Sequence, residues 1–366
     1  MVKALITVSI ESKLAFFIVA MVRIDLFCVF SMCFVKERSG PGIILGIVII
    51  ACFTFSMLYY TKIHKYKAIF AKDDMKKFIV PKTTPEILGS HPSAKNRTVS
   101  SGDRRRLIYN RIPKCGSTTF FNLLKALGKR NKFNHFTSNL YHKRHLTVKE
   151  QLKFVKKIKR MKAPMSMDRH IYYINFTQYE MTQPLYINVI RDPVERLISA
   201  FYYVRKSALR SDSNSMPSKP WLDLSYERCV KEKKKECQYK FGRPDDQTLM
   251  TPYFCGQAEM CRMLGNYWAL NKAKYNIENH YAVVGVLEEM NKTLVVLEKY
   301  IPSYFSGASS VYKPKSKSFH RNSSEKQNKV SSEVKEMVKK TLSTEYELYR
   351  FVLQRLNLQY KKIHGP

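Results

Sequence analysis

The chain has 366 residues, room for one large domain plus accessory segments, and carries 64 Lys and Arg against 29 Asp and Glu, a net charge of +35. That excess is too large for an ordinary solvated surface and implies a polyanionic partner: nucleic acid, acidic membrane or acidic polysaccharide. The basic clusters (104–106, 153–162, 231–235 and 313–317) are scattered, and neither zinc-finger spacing nor an RNP-type aromatic motif accompanies them, which argues against nucleic acid.

Residues 1–60 read as an anchor region. The apolar block 14–35 is interrupted by Arg23 and Asp25, which leaves a second span or an interfacial segment open. The block 42–60, GIILGIVIIACFTFSMLYY, runs 19 residues without a charge, long enough to span a bilayer. No small-residue cleavage site clearly follows, so a retained anchor is expected. Lys36 and Arg38 precede the span and Lys62, Lys65 and Lys67 follow it, a balance that favours a cytosolic C-terminal side. Residues 61–106, rich in Lys, Ser, Pro and Thr with weak periodicity, read as a stem.

The globular domain is expected over 107–366. Alternation over 107–112 predicts a strand, which Pro113 ends because it has no N–H for a ladder. Lys114, Cys115, Gly116, Ser117, Thr118 and Thr119 follow, and Phe120, Phe121, Leu123, Leu124 and Leu127 then recur at helical spacing. Strand, Gly turn and hydroxyl-rich helix start present backbone N–H groups to an anion. Lys114 adds a charge. The order is not that of a Walker A loop, in which Gly precedes Lys-Ser/Thr. A plain strand–turn–helix corner reads equally well from these letters alone.

An amphipathic helix is expected over 146–161, with Leu146, Leu152, Val155 and Ile158 on its apolar side. His170 stands in MDRHIYYINF, where composition alone reads a satisfied histidine beside a strand. The apolar run 185–190 predicts a buried parallel strand, broken by Arg191-Asp192-Pro193. Val194, Leu197, Ile198 and Phe201 then mark a helix face. Arg191 and Ser199, eight residues apart, fall on one side and suit a second anion; the competing reading pairs Arg191 with Asp192 or Glu195. Residues 207–220 form a polar loop beside this site.

Cys229, Cys237, Cys255 and Cys261 form two close groups with three open connectivities. Zinc binding is the alternative, though no CxxC or nearby His pair supports it, and no metal cluster is evident elsewhere. Helices over 268–275, 291–300 and 331–361 and a strand over 281–286 complete an α/β pattern with a parallel sheet. Residues 312–326 read as a flexible basic loop. Sequons stand at Asn96, Asn175, Asn291 and Asn322.

PKCGSTTF at 113–120 followed by INVIRDPVERLIS at 187–199 resembles the two cofactor motifs of Golgi sulfotransferases that use 3′-phosphoadenosine-5′-phosphosulfate (PAPS). The similarity is strongest to the 2-O-sulfotransferases of glycosaminoglycan uronic acids, and PYFCGQAEMC with YAVVGVLEEMNKTLVVLEKYIPSYF resembles the uronyl and insect Pipe-type branch. The resemblance implies a P-loop-like sulfotransferase fold, with a central parallel sheet flanked by helices behind an N-terminal anchor. It implies that Lys114–Thr119 hold the 5′-phosphate, that Arg191 and Ser199 hold the 3′-phosphate, and that Lys114 stabilises the leaving oxygen. It makes His170 the catalytic base and Arg111 a contact for a substrate carboxylate or sulfate. Asn139, Tyr312, Ser318, Arg321, Ser323 and Lys326 become cofactor contacts, which argues against a glycan at Asn322. No metal is needed.

Spacing matches the family's disulfides, Cys229–Cys237 and Cys255–Cys261. These and the sequons argue for a luminal domain, against the flanking charges. A single-pass type II Golgi membrane protein acting on an acidic polysaccharide is therefore expected. Heparan-type relatives form trimers, so a homo-oligomer is compatible. Heparan enzymes carry a second His where this chain has Asp168, and the uronyl branch lacks it. Two other readings are weighed: an inactive, polyanion-binding sulfotransferase fold, and a nucleotide kinase or NTPase.

Overall fold

The computed structural model describes residues 102–209, 217–240, 242, 249–312 and 330–365, together with Met57. Apart from Met57, all of these lie within the compact unit 93–366. The anchor and stem expected over 1–106 lie almost wholly outside the described residues, and 103–106, expected as the end of the stem, instead open the first strand of the domain. Among the described residues, no helix is long and apolar enough to cross a membrane.

Five strands form one sheet in the order β2-β3-β1-β4-β5, and every neighbouring pair is parallel. They are β1 (Asp103–Tyr109), β2 (Asn134–Thr137), β3 (Met165–Asp168), β4 (Pro184–Ile190) and β5 (Tyr281–Val286). β4 and β5 are buried along their whole length, which is why they read as continuous apolar runs. Helix α1 (Ser117–Arg130) leads from β1 to β2, and α2 (Val148–Arg160) leads from β2 to β3. Helices α3 (Pro193–Ala208) and α4 (Tyr267–His280) lie between β4 and β5, and α5 (Met290–Tyr300), α6 (Ser332–Thr341) and α7 (Ser343–His364) follow. After β1 the chain moves to the far edge at β2 and returns past β1 to β4. The carboxyl end of β1 is thus a topological switch point, where open parallel sheets place their ligand crevices.

Several boundaries differ from the sequence reading. β1 ends at Tyr109 rather than at Pro113, because the Arg111 N–H turns back to the Tyr109 carbonyl and Asn110 leaves the ladder to donate from its amide to the Tyr253 carbonyl, 2.6 Å away. α2 starts at a Thr147–Glu150 capping box, and its buried seam is Gln151, Phe154, Val155 and Ile158. Leu152 lies at the edge of that seam, half-buried. α4 runs on to His280. The single helix expected over 331–361 is two, broken at a buried Leu342. They serve different cores: Val334 and Val338 pack with α3 and the segment around Cys229, whereas Leu348, Val352 and Leu356 pack against the sheet. β2 and β3 have no counterpart in the sequence reading.

Candidate active site

A cleft of about 670 Å³ opens at the carboxyl ends of the strands. Each strand contributes. Arg111 and Lys114 follow β1, Thr137 and Tyr141 come from the end of β2, and His170 follows β3. Arg191 follows β4, and Leu287 and Glu288 follow β5. Only β2–β3 and β4–β5 are neighbours in both sequence and sheet, and β1 lies between them, so the site is assembled by topology.

The loop after β1 turns sharply. Lys114 has φ 68° and Gly116 has φ 73°, the left-handed region that costs a residue with Cβ about 1 kcal/mol or more. At Gly116, the N-cap of α1, a Cβ would also come within 2.7 Å of Leu287 Cδ1. Gly116 offers α1 no side-chain cap, and the first turn of α1 (Ser117, Thr118, Thr119) lines the cleft. This is the anion-binding arrangement of a helix N-terminus.

The Lys114 ammonium rests 3.9 Å from the centre of the Tyr203 ring. Burial, then the neighbouring Arg191 charge, lowers its pKa to about 8. Cys115 points the other way, into the core, with Sγ 4.0 Å from Met250 Sδ. Burial pushes this thiol up to about 12, so only its backbone can serve a ligand.

Arg191, in the turn between β4 and α3, and Ser199, on α3, both line the cleft. Arg191 is held only loosely, 3.7 Å from Glu195. Asp192 is engaged elsewhere: its carboxylate caps α3 at the Glu195 N–H and accepts the Tyr346 hydroxyl. Beneath the loop, the buried Arg196 guanidinium donates to the Pro113 carbonyl at 3.4 Å, fixing the turn from behind.

The opposite wall holds His170. Its Nδ1 lies 2.8 Å from the Arg111 carbonyl. A carbonyl only accepts, so Nδ1 carries the hydrogen and the neutral ring keeps its lone pair on Nε2. Burial, reinforced by the Arg111 charge, lowers the pKa to about 4, so the ring is a neutral proton acceptor at pH 7. The Arg111 guanidinium stands 2.9 Å from Asp168 Oδ1 and 5.6 Å from the centre of the Tyr141 ring, which is itself 6.1 Å from His170.

Of the sequence candidates, Arg111, Lys114, Gly116, Ser117, Thr118, Thr119, His170, Arg191, Ser199 and Tyr312 meet in this one cleft. Asn139 is exposed and does not line it; β2 ends two residues earlier and brings Thr137 there instead. Ser318, Arg321, Ser323 and Lys326 lie outside the described residues, as do Asn96 and Asn322. Cys229 pairs with Cys237 and Cys255 with Cys261. Asn175 accepts from the Thr177 N–H and hydroxyl at the start of a short 3₁₀ turn, and Asn291 is exposed on α5. No group of three or more His, Cys, Asp and Glu residues suited to a metal ion occurs among the described residues.

The sequence reading missed Thr137, Tyr141, Tyr203 and Glu288 as cleft residues. Tyr203 carried a signal, since it lies four residues after Ser199 on the same helix face.

The profile of the sulfotransferase family matches residues 98–352. The chain belongs to the sulfotransferase family. This sulfotransferase is 35% identical to human uronyl 2-sulfotransferase over 266 residues, covering 70% of the chain and 64% of that relative. It is 34% identical over 278 residues to the Drosophila melanogaster uronyl 2-sulfotransferase homolog pip, covering 71% of the chain and 54% of the relative. It is 33% identical over 270 residues to human heparan sulfate 2-O-sulfotransferase 1, covering 71% and 72%. The chain therefore spans less than two thirds of the two uronyl-type relatives.

Proposed function

We propose that this sulfotransferase transfers a sulfuryl group from PAPS to the 2-hydroxyl of a uronic acid residue in an acidic polysaccharide. The observation that carries the reading is that one cleft joins an anion-binding half, Lys114–Thr119 with Arg191 and Ser199, to a proton-accepting half, His170 beside Arg111. A kinase reading lacks the Walker order, and a purely polyanion-binding role leaves the oriented, neutral His170 without a task.

The residues fit the donor, because its two phosphate groups would meet two separate sets of donors, the first turn of α1 on one side and Arg191 after β4 with Ser199 of α3 on the other. When bound, the nucleotide supplies a sulfuryl group whose bond to the phosphate oxygen breaks as the bond to the acceptor oxygen forms, in line. The first turn of α1 and the hydroxyls of Ser117 and Thr118 suit one phosphate; Arg191 and Ser199 suit the other. Lys114 stabilises negative charge growing on the leaving oxygen. His170 takes the acceptor's proton at Nε2. A uronate carboxylate on Arg111 offsets the charge that holds His170 down, so the acceptor strengthens its own base.

The wider setting belongs to the same reading. A type II anchor over 42–60 and a stem over 61–106 would hold the domain in the Golgi lumen, and two disulfides suit an oxidising compartment. The test is transfer from labelled PAPS by detergent-solubilised full-length protein to desulfated heparan, dermatan and chondroitin chains, with disaccharide analysis of the product. Label on the 2-position of uronic acid supports the reading. Nucleotide and polysaccharide binding without transfer refutes it in favour of an inactive fold.

A further inference from the structure

Asp168 ends β3, is fully buried, and stands at the centre of a polar cluster behind the proton-accepting wall. Its Oδ1 lies 2.9 Å from Arg111 Nη1. The pairing is one of charge, since no N–H is aligned on that oxygen. Its Oδ2 accepts the Thr137 hydroxyl at 2.6 Å and lies 3.1 Å from His135 Nε2. His135 Nδ1 meets the Ser166 hydroxyl at 2.7 Å. Three strand ends, β1, β2 and β3, are therefore tied to one carboxylate. The backbone closes the same figure: the Arg169 N–H donates to the Tyr109 carbonyl and the Ser138 N–H to the Asp168 carbonyl.

Residue 111 does two things in this arrangement. Its guanidinium answers to Asp168, and its carbonyl receives His170 Nδ1–H. An isolated buried carboxylate is too costly to keep without purpose or partners, and here every partner belongs to the wall that carries His170. We propose that Asp168 is the positioning residue of the proton-accepting half: it holds Arg111 so that the Arg111 carbonyl selects the Nδ1–H tautomer of His170 and leaves Nε2 to the acceptor hydroxyl. The inference rests on the function proposed above for its catalytic consequence. The tautomer itself is independent of that function.

Asp168→Asn in the full chain separates positioning from simple charge balance. Charge balance predicts tighter acceptor binding and unchanged kcat, because a negative neighbour of Arg111 is lost. Positioning predicts a kcat about 100-fold lower, with acceptor KM unchanged or lower and nucleotide Kd unchanged. It also predicts that ¹⁵N shifts of the His170 ring, assigned by comparison with His170→Gln, pass from one Nδ1–H tautomer to a mixture. A single retained tautomer, or a parallel loss of kcat and nucleotide affinity, overturns the proposal. Should Asp168→Asn fail to fold, Thr137→Val, which removes one bond to the same carboxylate, is judged by the same tautomer readout. A wild-type protein that transfers to no acceptor refutes the proposed reaction, while the ring shifts still decide the role of Asp168.

Discussion

At the scale of single residues, the proposed chemistry rests on two shifted groups that line one cleft. His170 is lowered to about 4 and Lys114 to about 8. The first must be neutral to accept a proton and the second charged to stabilise the leaving oxygen. kcat/KM, which reports the free enzyme, is therefore expected to rise with pH through about 4, hold a plateau, and fall through about 8. Bound phosphates raise the proton affinity of Lys114 and the acceptor carboxylate raises that of His170, so both limbs of the kcat profile move to higher pH. An acid limb of kcat/KM near pH 6.5, the ordinary histidine value, contradicts the buried environment described for His170. His170→Ala is expected to lower kcat by about 1,000-fold while leaving nucleotide affinity intact, as single-turnover transfer and calorimetric titration would measure.

At the scale of elements, legibility followed length and burial. β4 and β5 were plain because both of their faces are buried and the apolar run is unbroken. β2 (NHFT) and β3 (MSMD) were not, since each has four residues and carries polar letters that bond across strands. The polar letters inside apolar strands had a meaning that periodicity does not express. Asn188 donates to the Asn110 carbonyl at 2.8 Å, and the Tyr281 hydroxyl donates to the Asn110 side chain at 3.1 Å, which ties β4 and β5 to the residue that follows β1, beneath the loop. Most of the cleft was found through two motifs, while Thr137 and Tyr141 were hidden by the missed edge strand. The short helix Pro252–Cys255, pinned by Cys255–Cys261, supplies the Tyr253 carbonyl on which Asn110 closes. Replacing both cysteines with serine is expected to cost about 2 kcal/mol of stability, read as a lowered midpoint in chemical denaturation, with weaker nucleotide binding because the loop loses its floor.

At the scale of the whole molecule, charge and protonation act together. A net charge of +35 makes the proposed association with an acidic polysaccharide dependent on ionic strength; affinity for desulfated heparan is expected to drop at least tenfold between 50 and 300 mM salt, as binding isotherms would record. The sign for stability follows from His170, whose folded pKa of about 4 lies below its unfolded value near 6.5. Its contribution is complete above pH 6.5 and is lost as pH falls towards 4, so melting temperature should decline over that window, and His170→Gln should flatten the decline.

The parallel sheet has one further consequence. Its strands lie about 4.8 Å apart, so β3, β1 and β4 form a ruled gauge, with the proton acceptor on one mark, the lysine on the next and the distal arginine on the third. In the proposed reaction, the span from acceptor oxygen to far phosphate follows the pitch of backbone pairing. Adding a residue to any one connection shifts a single mark while its neighbours stay put, and the reacting atoms fall out of line.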